Sequence, residues 1–325
     1  MPTAFERLRG YRDDFIESKH AGGIGYARQE IHLRKFLDFC ASYPIGDSLL
    51  SKEAVSAWSA VRGTEDAKTR SGRVTPVRQL AEYLNRRGIP AYVAPKIHGG
   101  NSGFVPYIFS NRELARLFAA ADNRRENILW HPNKHYALPM MMRMIYACGM
   151  RRSEVIRLRI RDVDLNDGII TVLNTKFGKD RLIPLHTEFQ TQLGDYRGKE
   201  LAEGADPNSP FFPTPSGHFY SSPSVYTAFR KFLADAGISH GGKDNGPRLH
   251  DLRHTAAVNC LKKWVRDGGD INAAVPYLAA YLGHTHFRHS QVYLRLTADM
   301  FPDIVSKIER KFNVFPVWEG AYDAD

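Results

Sequence analysis

Residues 246–296 hold the most informative stretch of this chain: GPRLHDLRHTAAVNCLKKWVRDGGDINAAVPYLAAYLGHTHFRHSQVYLRL. The run LHDLRHTAAVNCLKKW has the apolar spacing of a helix. His250 and Arg253 are three residues apart on it, so they share one helix face about a turn apart. His284 follows in the short run YLGH, and Tyr293 lies nine residues farther on.

The spacing of His284 and Tyr293 predicts a break in the chain between them. Nine residues of unbroken helix turn through roughly 900°, which would put the two side chains on opposite faces. Gly283 and the polar run HTHFRHS permit such a break. Cationic donors would then gather around one tyrosine. That arrangement suits a phosphodiester, because the donors can hold its oxygens while the phenolate attacks phosphorus.

Length and charge predict two domains and a polyanionic partner. A chain of 325 residues suits two domains better than one small core. Its 45 Lys and Arg residues exceed its 35 Asp and Glu residues, a net charge of +10. This excess is spread over both halves of the chain and favours a polyanionic partner, although a protein with a merely positive surface would show the same charge.

Cysteine usage indicates a reducing compartment, and hydropathy argues against a signal peptide or a membrane span. Cys40, Cys148 and Cys260 are scattered through apolar helical runs, which predicts buried free thiols, and the absence of a CxxC pair argues against a thiolate zinc site. The N-terminal run MPTAFERLRGYRDDF has no apolar stretch of signal-peptide length, and no window suits a membrane span. The sequence therefore predicts a cytoplasmic protein with no membrane partner.

Two regions are separated by a segment rich in proline and glycine. Helical patterns with polar breaks occupy residues 1–94, and Ser51 is a predicted helix cap. A longer helix is predicted from Glu65 to Arg87, and Pro76 should break or kink it. Residues 95–108 read as a linker. Residues 109–312 form the second region, and residues 313–325 are an acidic tail.

The second region mixes helices with a short β-hairpin. The run PMMMRMIYACGM reads as core packing that ends at Gly149, and RRSEVIRLRIRDVDL predicts a further helix beginning with Arg151. GIITVL and RLIPL read as strands joined by the turn TKFGKD, which puts Lys176 at a hairpin tip. The expected fold is mainly α with a small β-hairpin or sheet.

Four separated motifs resemble those of the tyrosine recombinases, the phage integrase family. CGMRRSE resembles the first arginine box, TKFGKDRLIPL the β-hairpin, HDLRHTAA the H-x-x-R box, and LGH with its following tyrosine the last box. By this resemblance the catalytic residues are Arg151, Lys176, His250, Arg253, His284 and Tyr293. The longer segment near Trp264, Phe177 in the hairpin and the histidine-rich HTHFRHS depart from the family pattern.

The resemblance implies a fold, partners and a reaction. Residues 1–94 would be an all-helical core-binding domain that clamps DNA, and residues 109–312 an α+β catalytic domain. Tyr293 would form a 3′-phosphotyrosyl link, the two arginines would stabilise the transition state, Lys176 would act as general acid, and His250 would act as base. No metal, ATP or other cofactor is implied. The implied partners are double-stranded DNA, a homotetramer on two duplexes, and accessory DNA-bending or directionality proteins.

Three alternatives remain open at this stage. HDLRH has histidines at i and i+4 like the zinc-protease pattern H-E-x-x-H, with His284 or His286 as a third ligand. Asp251 is shorter than the glutamate of that pattern, and Arg253 would place a cation beside the metal. A type IB topoisomerase would use similar residues without exchanging partners. A catalytically silent DNA-binding protein could retain the fold. The residues specify neither the target site nor whether Tyr293 acts in its own subunit.

Overall fold

The computed structural model describes residues 3–43, 49–99, 105–123, 134–173, 180–242 and 246–283, together with Tyr293 and Leu296. The chain divides into two units, Met1–Phe104 and Val105–Asp325. The described part of the first is helical, and the second adds a three-stranded sheet to its helices. The predicted fold class, mainly α with a small sheet, is confirmed.

Four helices make up the described part of the first unit: α1 (Ala4–Ala21), α2 (Ala27–Cys40), α3 (Lys52–Ser59) and α4 (Ala67–Arg86). Side chains at three of the helix starts accept hydrogen bonds from backbone N–H groups in the first turn, as N-caps do; they are Thr3, Ser51 and Asp66. The predicted cap at Ser51 is thus confirmed. The helices enclose an apolar core, which includes Leu8, Phe15, Leu33, Phe36, Trp58, Val77, Leu80 and Leu84.

The sequence predicts a break or a kink at Pro76, and the structure shows no break in α4 there. The helix runs through it from Ala67 to Arg86, and Pro76 is buried next to Val77, which is part of the core. A proline removes one hydrogen bond and crowds the carbonyl four residues earlier. Here the helix continues because its apolar face is packed against the rest of the unit, and such packing supplies most of the stability of helices in proteins.

A buried ion pair links α4 to the segment before it. The guanidinium of Arg73 lies 2.6 Å from the carboxylate of Glu65, and the two side chains are only 7% and 9% exposed. Arg73 also donates to the carbonyl oxygens of Trp58 and Ala60. We expect Arg73→Ala to lower the free energy of unfolding of this unit by about 3 kcal/mol, because it leaves the buried Glu65 carboxylate without its partner. Urea denaturation would measure the loss.

Arg87→Ala is the matched control for that substitution. Arg87 lies just beyond the same helix and pairs with Asp14 at 3.5 Å, but both side chains are half exposed. Exposed pairs contribute less than about 1 kcal/mol, so this variant should unfold near the wild-type midpoint. Equal losses for the two variants would contradict the importance assigned to burial of the Arg73 pair.

The second unit is built around one central helix, Lys134–Ala147, against which five of the other helices pack. In chain order, the helices in its described part are α5 (Asn111–Asn123), α6 (Lys134–Ala147), α7 (Arg152–Ile156), α8 (Thr187–Glu200), α9 (Ser222–Asp235), α10 (Asp251–Arg266) and α11 (Ile271–Leu282). The side chains of Met141, Met142 and Met144 on α6 are buried in the main core. The interpretation of the methionine run as core packing is confirmed.

An antiparallel sheet of β1 (Val163–Asp164), β2 (Ile169–Val172) and β3 (Arg181–Pro184) lies between α7 and α8 in the chain. The predicted hairpin strands are present, and the buried Ile170 pairs with the buried Ile183. The helix predicted from RRSEVIRLRIRDVDL is wrong beyond Ile156. The following residues form a 3₁₀ turn, and Val163 then pairs with Ile170 in the sheet. The hairpin tip with Lys176 lies outside the described residues.

The cysteine prediction is only partly right. Cys40 and Cys148 are buried free thiols, but Cys260 is exposed. On α10 the buried positions nearby are Ala257, Val258 and Leu261, and Cys260 falls outside that stripe. Within the described ranges, no helix is both long and apolar enough to cross a bilayer.

Candidate active site

A tight turn after α6 positions Arg151. The helix ends at Ala147, Gly149 adopts a left-handed conformation with φ 57°, and Arg151 occupies the N-cap of α7. The Glu154 carboxylate accepts from the backbone N–H of Arg151 at 2.8 Å and from its Nη1 at 2.7 Å. Nη2 of Arg151 donates to the carbonyl of Gly283 at 2.9 Å. The guanidinium therefore has a defined orientation while its side chain stays 24% exposed.

Arg181, at the start of β3, is a second arginine that binds the Glu154 carboxylate. Its Nη1 and Nη2 donate to the two carboxylate oxygens at 3.1 and 2.8 Å, a bidentate pair between nearly buried side chains. Burial disfavours the charged carboxylate, but hydrogen bonds from Arg181 and Arg151 outweigh it and lower the pKa of Glu154 to about 2. One carboxylate thus ties the sheet to the arginine at the N-terminus of α7.

The lowered pKa of Glu154 predicts how acid affects the second unit. A carboxyl group whose pKa falls from 4.5 to about 2 on folding stabilises the folded state above pH 4.5. That contribution is lost as the pH falls towards 2. Because Gln resembles protonated Glu, Glu154→Gln should be less stable than the wild type at pH 7, and the difference should narrow steadily below about pH 4.5. Urea midpoints from pH 7 to pH 3 would measure it.

Asp267→Asn provides the control for this titration. Asp267 accepts from Lys263 at 2.5 Å on the surface of the same unit, where the two side chains are 56% and 75% exposed. An exposed pair contributes little, so this variant should follow the wild type at every pH. A stability difference for Glu154→Gln that stays constant from pH 7 to pH 3 would contradict the proposed titration.

Arg253 lies in the buried first part of α10 and links the turn before α7 to the end of α11. It is 1% exposed and donates through Nη1 to the carbonyl of Gly149 and through Nη2 to that of Leu282, the latter at 2.6 Å. Among the described residues its Nε has no hydrogen-bond acceptor. Burial, then the neighbouring charge of Arg151, lowers the pKa of Arg253 to about 10, so it is still a cation at neutral pH. The arrangement brings the turn before α7 to the end of α11.

Tyr293 lies beside this guanidinium. Its side chain is 1% exposed and packs in an apolar cluster formed by residues of α10 and α11, including Val258 and Leu282. Burial raises the pKa of the phenol, whereas the positive charges of Arg253 and Arg151 act in the opposite direction. The phenol oxygen is 3.0 Å from Nδ1 of His254. Two cations and one imidazole therefore act on the same hydroxyl group.

An open cleft of about 520 Å³ lies next to these groups. Its lining is rich in cationic and polar side chains and consists of Arg151, Arg152, Ser153, Tyr226, His240, Gly246, Arg248, Leu249 and His250. His250 is exposed at the N-cap of α10, and its ring meets that of His254 edge to face with centroids 4.8 Å apart. Such a cleft can accept an anionic group at the edge of the tyrosine pocket.

Four of the six predicted site residues can be placed, and they come together: Arg151, His250, Arg253 and Tyr293. Lys176 and His284 lie outside the described residues. The α11 helix ends at Gly283, whose φ is 65°, as a break before the last box requires, but the path from 284 to 292 is also outside the described part.

Sequence reasoning missed two contributors to the site. Arg181 is the inward-facing first residue of a strand, and the strand pattern could have shown that its side chain turns towards the core. His254 lies one helical turn after His250, so the spacing already put the two imidazoles on one face. As a pair, the two histidines suggested only zinc ligands from the sequence.

The zinc alternative has limited support from the described geometry. His254 Nδ1 already faces the hydroxyl of Tyr293, and the Asp251 carboxylate accepts from the backbone N–H of Arg248 at 2.7 Å. No cluster of three His, Cys, Asp or Glu side chains with metal-binding geometry occurs in the described ranges. The third ligands suggested by the sequence, His284 and His286, lie outside those ranges.

Comparison with known proteins covers nearly the whole chain. Residues 108–300 match the model of the phage integrase family. A putative integrase/recombinase of Sinorhizobium fredii is 27% identical over 92% of this chain and 96% of its own length. The tyrosine recombinase XerC of Pelobacter propionicus is 23% identical over 96% and 97% of the two chains.

A solved structure shares the fold. The XerH site-specific recombinase, in a post-cleavage complex with a palindromic difH substrate, superimposes with a TM-score of 0.60. The match covers 88% of this chain and 80% of XerH at 19% identity. Since the family model matches more than half of the sequence, and paired arginines and a buried tyrosine meet where that model matches, this chain belongs to the phage integrase family, the tyrosine recombinases.

Proposed function

We propose that this chain is a site-specific DNA recombinase or integrase that cuts and rejoins DNA through a 3′-phosphotyrosyl intermediate on Tyr293. The observation that carries the proposal is the position of Arg253, which bridges Gly149 and Leu282 while its charge acts on Tyr293. One buried cation thereby lies next to both the turn that carries Arg151, in the first motif, and Tyr293, in the last motif. DNA is the proposed substrate because the cleft is cationic and because the XerH site-specific recombinase, which shares the fold, is bound to a palindromic difH substrate.

The proposed cleavage step exchanges one phosphate ester for another. The Tyr293 oxygen forms a bond to phosphorus, the bond from phosphorus to the 5′ oxygen breaks, and that oxygen leaves with the bonding electron pair. The phenolic proton goes to His250, and Lys176 supplies a proton to the 5′ oxygen. Since the ester bond energy is retained in the link to the protein, ATP is not required for rejoining.

The arginines would stabilise the transition state. Arg151 and Arg253 present planar donors that are charged at neutral pH, and charge develops on the two non-bridging oxygens as the tyrosine attacks. Arg253 suits this role because its charge lies beside the hydroxyl of Tyr293, with which it also forms a side-chain hydrogen bond. His284 is proposed as a further donor to the phosphate. Two guanidinium groups supply the positive charge that a metal ion would otherwise provide, so the reaction is proposed to be metal-independent.

A nicked duplex tests the covalent step. Duplexes from the DNA that flanks the chain's own gene, each with a nick near the cleavage position, would lose their short 5′-hydroxyl fragment and trap the protein on the DNA. We expect a protein–DNA adduct in EDTA, with the DNA attached to Tyr293 by peptide mass spectrometry. A binding protein without catalytic activity would leave no adduct. Activity that EDTA removes and zinc restores would favour the zinc alternative.

Partner exchange separates the two remaining enzyme classes. A second duplex whose strand attacks the phosphotyrosyl link should appear in recombinant products, and the proposed assembly for this exchange is four protomers on two duplexes. A type IB topoisomerase would relax a supercoiled plasmid without joining partners. Relaxation without any recombinant product would overturn the recombinase proposal while leaving the covalent chemistry in place.

A further inference from the structure

His254 lies between the proposed nucleophile and the cleft. Its Nδ1 is 3.0 Å from the Tyr293 oxygen, and the two ring centroids are 5.6 Å apart. On its other side the ring of His250 meets it edge to face at 4.8 Å. His254 therefore touches the oxygen that would attack phosphorus, and it is separated from the cleft by one side chain.

Burial and the adjacent cation Arg253 set the protonation states of His254 and Tyr293. Burial, then the charge of Arg253, lowers the pKa of His254 to about 4, and burial raises the pKa of the Tyr293 phenol above its ordinary 10. At neutral pH an uncharged imidazole thus faces an uncharged phenol. The phenol can donate to Nδ1 when the imidazole proton is on Nε2.

These pKa values also make His254 a poor acceptor of the proton that Tyr293 loses when it attacks. A phenol with a pKa above 10 transfers its proton very unfavourably to an imidazole with a pKa near 4. A hydrogen bond has no such requirement, and it fixes the direction of the hydroxyl group. The ring of His254 therefore suits the task of orienting the phenol rather than that of removing its proton.

We propose that His254 is a positioning residue, which accepts a hydrogen bond from Tyr293 and holds the phenol oxygen beside Arg253 for attack. This inference rests on the proposed function, and it assigns a role to a residue that the sequence motifs leave without one. The small misplacement of a nucleophile that its loss allows costs about 10- to 100-fold in rate.

The test compares His254→Ala with His254→Asn in single-turnover cleavage of the nicked duplex at saturating DNA. We expect His254→Ala to slow adduct formation about 10- to 100-fold and to leave the Kd for DNA unchanged. His254→Asn should recover to within about 5-fold of wild type, because its amide oxygen lies near the place of Nδ1 and accepts the same hydrogen bond. Wild-type rates for His254→Ala, or equal losses in both variants, would overturn the positioning role.

Asn259→Ala controls for loosening of the helix. Asn259 is farther along α10, and its Nδ2 donates to the Tyr146 hydroxyl at 3.2 Å. Removal of this partly buried hydrogen bond should lower stability without slowing adduct formation. If the wild type itself forms no adduct, the proposed function fails, and the hydrogen bond must then be judged by a measurement that needs no activity.

Nitrogen NMR of histidine-labelled protein supplies that measurement. The His254 signals, assigned by their loss in His254→Asn, should show a neutral imidazole with its proton on Nε2 and Nδ1 as an acceptor. Tyr293→Phe should shift the Nδ1 resonance, because it removes the donor. An Nδ1 resonance unchanged in Tyr293→Phe would show that the contact is absent in solution and would refute the inference.

Discussion

Tyr293→Phe should bind its DNA site and leave no covalent adduct. The substitution removes only the oxygen that would attack phosphorus, and the ring can stay in the apolar cluster formed with α10 and α11. Loss of a nucleophile lowers the rate of such reactions by about 10⁴-fold or more, so the adduct should fall below detection. The lost hydrogen bond to His254 should cost only about 1 kcal/mol of stability. Gel analysis of the nicked-duplex reaction would measure the adduct, and a filter-binding titration the affinity.

Tyr281→Phe is the matched control for that experiment. Tyr281 is a partly buried tyrosine near the end of α11 and packs against both apolar clusters of the unit. Its substitution also removes one phenolic oxygen, yet adduct formation should stay within about 2-fold of the wild type, since the proposed chemistry does not use it. An adduct that persists in Tyr293→Phe, or one that disappears in Tyr281→Phe, would place the nucleophile elsewhere.

Arg151→Ala should slow cleavage about 1,000-fold, the second largest effect expected. Removal of one preformed donor to a developing oxyanion costs about 100- to 1,000-fold, and Arg151 contributes a full charge as well. The fold should tolerate the change. Glu154 retains its bidentate partner Arg181, so no buried carboxylate is left without a counter-charge. DNA affinity should change little because many contacts share the binding energy. Single-turnover rates at saturating DNA would test this expectation.

Arg157→Ala distinguishes a catalytic loss from a general loss of positive charge. Arg157 is an exposed arginine at the C-terminal end of the same short helix. Its removal should leave the cleavage rate at saturating DNA within about 3-fold of wild type. If Arg151→Ala and Arg157→Ala slow cleavage by the same factor, the effect of Arg151 comes from the loss of overall positive charge. If Arg151→Ala cleaves normally, the transition-state role proposed for that arginine is wrong.

The Glu154 carboxylate shows why the site depends on more than its reactive groups. Arg151 alone could rotate freely in an open cleft. Glu154 binds its Nη1, Gly283 binds its Nη2, and Arg181 holds Glu154 in turn. These partners come from three separate parts of the chain. The direction of one guanidinium thus depends on the correct packing of the sheet, α7 and the end of α11 against one another.

The amino-acid sequence alone was sufficient to predict the helical character of the chain, its small hairpin and six candidate site residues. Apolar spacing, caps such as Ser51 and turn residues such as Gly149 act over a few positions, so they can be read from a linear sequence. Charge spread over the whole chain likewise indicated a polyanionic partner. The order of the four motifs indicated the family, which the comparison with known proteins confirmed.

Contacts between distant segments were decided only by the tertiary structure. Pro76 lies within a continuous helix, because packing of that helix in its core outweighs a local preference. Val163 joins the sheet through a partner that no local pattern reveals. Arg181 and His254 gain their roles from Glu154 and Tyr293, 27 and 39 residues away in the chain. Sequence periodicity reports which face a residue occupies, but the group that it meets there depends on how whole elements pack.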